Sequence, residues 1–102
     1  MIRYRELRLD FVMEPMLSSI QIREKLLGPY NKYNARIYTI LMELTSIPDL
    51  VEKYRNDTDK FYRKGHEIFN KIDFTIDSML VLYSMQLETT YLIIMSKTTQ
   101  AC

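Results

Sequence analysis

The stretch "RYRELRLDFVM", residues 3–13, puts Leu7, Leu9, Phe11 and Met13 on one parity and Glu6, Arg8 and Asp10 on the other. Alternation of period two predicts a half-buried β-strand over 3–13, and with it a sheet. Pro15 ends the strand, because proline has no hydrogen to donate to a ladder. Ser18 or Ser19 then caps a helix through "IQIREKLL" (20–27), which Gly28 and Pro29 close.

Further along, "SIPDLVEKY" (46–54) predicts a second helix. Ser46 is its cap, Pro48 sits in its first turn and Asp49 faces the positive end of its dipole. Ile47, Leu50, Val51, Tyr54, Thr58, Phe61, Tyr62 and Phe69 recur at helical spacing, and Gly65 lies near the expected end. "KIDFTID" (71–77) alternates again, and "ETTYLIIMSK" (88–97) is rich in β-branched and aromatic residues. Strands are therefore expected over 72–83 and 89–97. Residues 36–45 admit a helix through Ile37, Ile40, Leu41 and Leu44, or a strand by composition; the strand is preferred. The expected fold class is α+β.

"YNKYNARIYTIL" from Tyr30 resembles "FNKIDFTIDSML" from Phe69, thirty-nine residues later. Asn31 aligns with Asn70, Ile37 with Ile76 and Leu41 with Leu80. The expectation is a single domain, 1–102, of two tandem motifs (about 1–47 and 48–102), each a helix followed by an extended segment. The motifs pack with pseudo-twofold symmetry, since neither alone buries a face. A polar tail occupies 96–102.

The chain has 102 residues, 47% hydrophobic and 26% charged, with a formal net charge of +1. That suits one globular core and argues against a dedicated polyanion binder. Cys102 is the single cysteine, so no intramolecular disulfide forms. The N-terminal stretch lacks the apolar core of a signal peptide. The longest apolar runs, "MLVLY" and "YLIIM", fall far short of the roughly 20 residues that span a membrane.

The opening "MIRYRELRLDFVMEP", the stretch "GPYNKYNARIYTI" and the ending "MSKTTQAC" resemble the orphan proteins of Acidianus-type filamentous viruses of thermoacidophilic archaea. The resemblance implies a setting, host cytoplasm or virion, and carries no functional residue across. Seven methionines depart from it, since heat-adapted proteins tend to avoid methionine.

His66 is the only histidine. Helical spacing aligns it with Asn70, Asp73 and Asp77, but the strand expected at "KIDFTID" breaks that stripe, so neither a metal site nor a cofactor is expected. Two isolated glycines make no phosphate loop, and no base adjoins a nucleophile, so no catalytic residue and no enzyme activity are expected.

A protein or peptide partner is expected instead. Amphipathic tyrosines and pliant methionines suit surfaces that receive a protein segment. Tyr30, Tyr33 and Tyr38 from one motif, with Phe69 and Tyr83 from the other, are expected to line a groove for an extended peptide. The alternative is a small nucleic-acid-binding protein using a basic face of the second helix: Arg55, Lys60, Arg63 and Lys64. No membrane partner is expected, and the oligomeric state is left open.

Overall fold

The computed structural model describes residues 2–47, 50–74 and 76–101, with side chains placed over 9–47, 50–74 and 76–96. The chain forms four helices, α1 (Ile2–Leu27), α2 (Lys32–Thr45), α3 (Arg55–Lys71) and α4 (Ser78–Ala101). Among the described residues there is no strand, so the fold is all-α and the α+β expectation is corrected.

The expected strands fall in helices, apart from residues 72–77, which join α3 to α4. Residues 3–13 lie in α1 because Leu9 and Met13 belong to a longer series with Met16 and Ile20, spaced four, three and four apart. That series faces the core, whereas Phe11 points outward. Pro15 interrupts nothing fatal: the carbonyl its missing N–H leaves unbonded belongs to exposed Phe11, where water can reach. Ser18 and Ser19 lie inside α1, where the Ser19 hydroxyl donates to the Met16 carbonyl (2.7 Å). Residues 36–45 lie in α2.

The alternation in "KIDFTID" is a loop effect. Ile72 and Phe74 turn inward, Phe74 setting its edge on Phe69 (5.3 Å between centroids), while Ile76 is 98% exposed. Residues 89–97 lie in α4, where Leu80, Leu87 and Ile94 face inward at sevenfold spacing. Tertiary packing overrides β propensity here.

The junctions are built from small polar side chains. Gly28 takes a positive φ of 91° and its N–H donates to the Glu24 carbonyl, closing α1. Asn31 caps α2: its side-chain oxygen accepts from the Asn34 N–H and its amide donates to the Gly28 carbonyl, both at 2.9 Å. Asn31→Ala removes both bonds and should cost about 1–2 kcal/mol, read from chemical denaturation. Ser46, expected as an N-cap, is the C-cap of α2. Pro48 and Asp49 lie outside the described residues. Asp77 accepts from the Met79 and Leu80 N–H groups and so opens α4.

The 39-residue offset does not place the two asparagines alike: Asn31 caps a helix, while Asn70 lies inside α3 and is exposed. The cap of α4 is Asp77, so the polar residue equivalent in role to Asn31 stands forty-six positions on.

Helix α2 is the hub. It touches the other three helices, most extensively α3, while α4 packs on α2 and α3. Among the described residues the backbone of α1 approaches no helix but α2. Asn34 faces α1, donating to the Ile20 carbonyl (3.1 Å), and Arg36 faces α4, its guanidinium 5.1 Å from the Tyr83 ring centre. Thr45 and Thr58 join α2 to α3 through a buried 2.7 Å hydroxyl contact. Gly65 sits mid-helix in α3 rather than at its end. It is buried because a side chain there would meet Tyr38 Cβ and Leu87 Cδ2, each 3.3 Å from the position of a Cβ.

Candidate functional site

Three features of this bundle are candidates. The first is a pocket of about 180 Å³ where the end of α1, the following turn, α2 and α3 meet, lined by Glu24, Pro29, Tyr30, Tyr38, Lys64, Glu67 and Ile68. Tyr30 donates to Glu67 (3.1 Å), a bond that raises its pKa above 10.0. Burial, reinforced by the Glu24 and Glu67 carboxylates, raises that of Tyr38.

Of the five residues expected to line a peptide groove, the structure brings Tyr30 and Tyr38 together here. Phe69 is a core residue with 5% exposure. Tyr33 is exposed on α2 beside the Lys32 ammonium, and Tyr83 is half-buried on α4 under Arg36. An extended peptide adds to a sheet by pairing with an unbonded edge, and no edge exists among the described residues. That mode of binding is therefore set aside.

The second feature joins α3 to α4. The rings of Tyr62 and Tyr91 stack 3.7 Å apart, within 3° of parallel. Tyr62 on α3 donates to Glu88 on α4 (2.9 Å), and Tyr91 on α4 donates to Asp59 on α3 (2.6 Å). Glu88 also meets His66 Nδ1 at 2.6 Å, and Asp59 accepts from Arg63 Nε at 2.8 Å. His66 is exposed, as are Asn70 and Asp73, and the carboxylate it meets is Glu88. Its partner lies twenty-two residues away on another helix, which spacing within one helix does not reveal.

Burial and the Glu88 carboxylate push the Tyr62 hydroxyl up to about 12. The bond to Asp59 is the main cause raising Tyr91, with Arg63 opposing. Both hydroxyls hold their protons more tightly in the folded chain than at the ordinary 10.0. The stability Tyr62 contributes is complete below pH 10 and is lost as pH rises towards about 12, and that of Tyr91 is lost in the same direction. Alkaline titration followed by tyrosinate absorbance should show a last component near pH 12 that Tyr62→Phe removes, and the melting temperature should fall across the same window.

The four residues of the expected basic face divide into two pairs. Arg55 lies 4.0 Å from Glu52 and Arg63 is held by Asp59, whereas Lys60 and Lys64 stand exposed. Two of the four residues expected to track phosphates thus lie beside a carboxylate, Arg63 closely and Arg55 at 4.0 Å.

The third feature is the outward face of α4. From Ser78 to Ser96 the helix carries one charged side chain, Glu88, and that one turns towards α3. Leu82, Met85 and Leu92 are exposed, flanked by Met79 and Ile93. Helix α1 repeats the pattern more weakly: Phe11, Val12, Pro15, Ile22 and Leu26 are exposed opposite Leu9, Met13 and Ile20. A surface helix ordinarily has one apolar stripe and a polar remainder; these two helices have apolar residues on both sides. Methionine as a surface residue holds at Met79 and Met85, which are exposed, but not at Met42, which is fully buried in α2. The strands expected over 72–83 and 89–97 hide the stripe: they separate Leu82 from Leu92 and set Ile93 on one face with Tyr91 and Met95.

Among the described residues, no helix is long and apolar enough to cross a membrane. Cys102 lies outside them. Compared with protein families, with curated proteins and with solved structures, the chain matches none, and nothing in those comparisons links it to a viral protein.

Proposed function

We propose that the chain is a protein-docking module whose contact surface is the uncharged outward face of α4, and that it receives a helix of a partner protein. The observation that supports this is the run of exposed Met79, Leu82, Met85, Leu92 and Ile93 on a face where α4 carries no charged side chain of its own, with Glu43 of α2 reaching its edge at Gln86. A helix laid in such a seam buries side chains at i, i+3, i+4 and i+7, the usual mode of helix recognition.

Magnitudes favour docking over solitary exposure. Each half-exposed side chain still has about 1 kcal/mol to gain from burial, so five from this chain and five from a partner supply about 10 kcal/mol before association costs. Those costs are about 4–15 kcal/mol, which places the contact in the weak to moderate range. The surface is therefore suited to a reversible contact.

The test is site-directed photocrosslinking in the cells that make the protein. A benzoylphenylalanine in place of Leu92 should yield a light-dependent protein adduct, and one in place of Lys64, on the outward face of α3, should not. No adduct from position 92 would end the docking reading. A nucleic-acid adduct from position 64 alone would favour the basic face of α3.

A further inference from the structure

We infer that the helix received by α4 is α4 of a second copy of this chain, antiparallel about a twofold axis passing beside the middle of the seam, level with Leu87. This rests on the docking reading above and names its partner.

The spacing carries the argument. Ser78, Leu82, Met85, Thr89, Leu92 and Ser96 follow one another at intervals of four, three, four, three and four. That is a heptad seam, which keeps one stripe facing a neighbouring helix along its length. The exposed residues at these positions are those the core does not use, since Leu80, Leu87 and Ile94 form the inward series.

The seam is also its own complement. Under a twofold axis level with position 87, Leu82 of one copy lies opposite Leu92 of the other, Met85 opposite Thr89, and Ser78 opposite Ser96. Each layer pairs either like with like or a long thioether with a small β-branched residue. An isologous contact demands this self-match; a contact with an unrelated helix does not. The antiparallel direction also sets each helix N-terminus beside the other's C-terminus, so the two dipoles attract.

Charge and area agree. No charged side chain lies on the seam, so two copies meet without the like-charge repulsion that prevents a charged face from pairing with itself. Met79, Leu82, Met85, Leu92 and Ile93, each at least half exposed, hold on the order of 600 Å² of free apolar surface, against roughly 800 Å² per partner in a standard interface. Such a contact belongs to the weak end of specific dimers, with a dissociation constant on the order of 10–100 µM. Among the described residues α1 makes no backbone approach to α4, so the fold leaves this face clear of it.

Sedimentation velocity on the full chain, from about 5 to 500 µM around that constant, should show reversible conversion from one chain to two. Leu82→Lys should weaken association at least about 100-fold, as a charge buried without a partner does, and should keep its helical circular dichroism, because position 82 is exposed. Lys64→Glu should leave association unchanged. A chain monomeric throughout, or a Leu82→Lys chain that associates as before, overturns the proposal. If Leu82→Lys loses its helicity, a cross-link decides instead. In a Cys102→Ser background, Leu82→Cys combined with Leu92→Cys should cross-link between chains with a short bismaleimide, and Leu82→Cys alone should not. Cross-linking by the single variant would mean parallel helices and would overturn the antiparallel arrangement.

The photocrosslink at position 92 separates this inference from the reading beneath it. An adduct of two copies supports both. An adduct with a different protein overturns the second copy and leaves docking standing, and no adduct overturns both.

Discussion

Leu87→Ala should destabilise the chain by about 3 kcal/mol, within the range for deleting a fully buried leucine. Leu87 is 1% exposed, and both its terminal methyls lie against Gly65 of α3. It is the middle of the three inward residues that seat α4, with Leu80 and Ile94 a heptad to either side. The two helices cannot collapse fully into the space, because Tyr62–Glu88 and Tyr91–Asp59 fix their separation. Urea unfolding should show the midpoint falling by about 2 M, given a slope of about 1.5 kcal/mol/M. A loss below about 1 kcal/mol would mean that α4 is not seated through this residue.

Gly65→Val should cost a similar amount, about 3 kcal/mol, for the opposite reason: too much matter rather than too little. A Cβ at position 65 already stands 3.3 Å from Tyr38 Cβ and from Leu87 Cδ2, and valine adds two methyl groups. Tyr38 Cβ is anchored to the α2 backbone and cannot swing aside, although the Leu87 methyls can. Gly65→Ala is the control. Its better helix propensity gains about 1 kcal/mol, which the tight contacts offset, so stability should change by less than about 1 kcal/mol. Because an alanine methyl enters the space Leu87 vacates, Leu87→Ala should cost less in the Gly65→Ala background than alone. Thermal or chemical unfolding of the four chains measures that coupling.

Parts of this architecture are legible in the residues. Thr58, Phe61 and Phe69 of the second expected helix lie buried in α3, but that helix begins at Arg55 and not at "SIPDLVEKY": residues 50–54 form turns, in which Leu50 and Tyr54 are buried all the same. Gly28 closes a helix as expected. The failures share one cause. Within seven to eleven residues, period two and period 3.6 overlap, and Leu9 and Met13 satisfy both. Extending the window to Met16 and Ile20 would have favoured the helix, as would the Arg, Glu, Leu and Met content of the stretch. In α4 the difficulty is deeper, because apolar residues on both faces leave no single stripe for a periodicity argument to find.

The candidate surfaces were less legible than the fold. The Glu88 partnership with His66 and Tyr62 depends on how α3 and α4 are docked, and no local pattern encodes that docking. Asn31 was visible as a repeated Asn-Lys pair, yet an asparagine directly before a helix is itself a cap signal, and its capping role is what the fold uses. The exposed stripe of α4 was concealed by the strands expected there: a helix sets Leu82, Met85 and Leu92 in one line through i+3 and i+7 steps, which a period of two does not keep.

The stripe on α1 gives the molecule a valence. Phe11, Val12, Pro15, Ile22 and Leu26 lie on a helix that shares no backbone contact with α4 among the described residues, so occupying one stripe leaves the other open. A protein with one self-matching face stops growing at two copies. A protein with two adhesive faces on separate helices behaves as a divalent monomer, and alternating the two contacts adds subunits without an end, as open helical filaments do. Sedimentation that stops at two chains would therefore mean that the α1 stripe takes no second copy, and growth beyond two would mean that the α4 pair is a link rather than the final product.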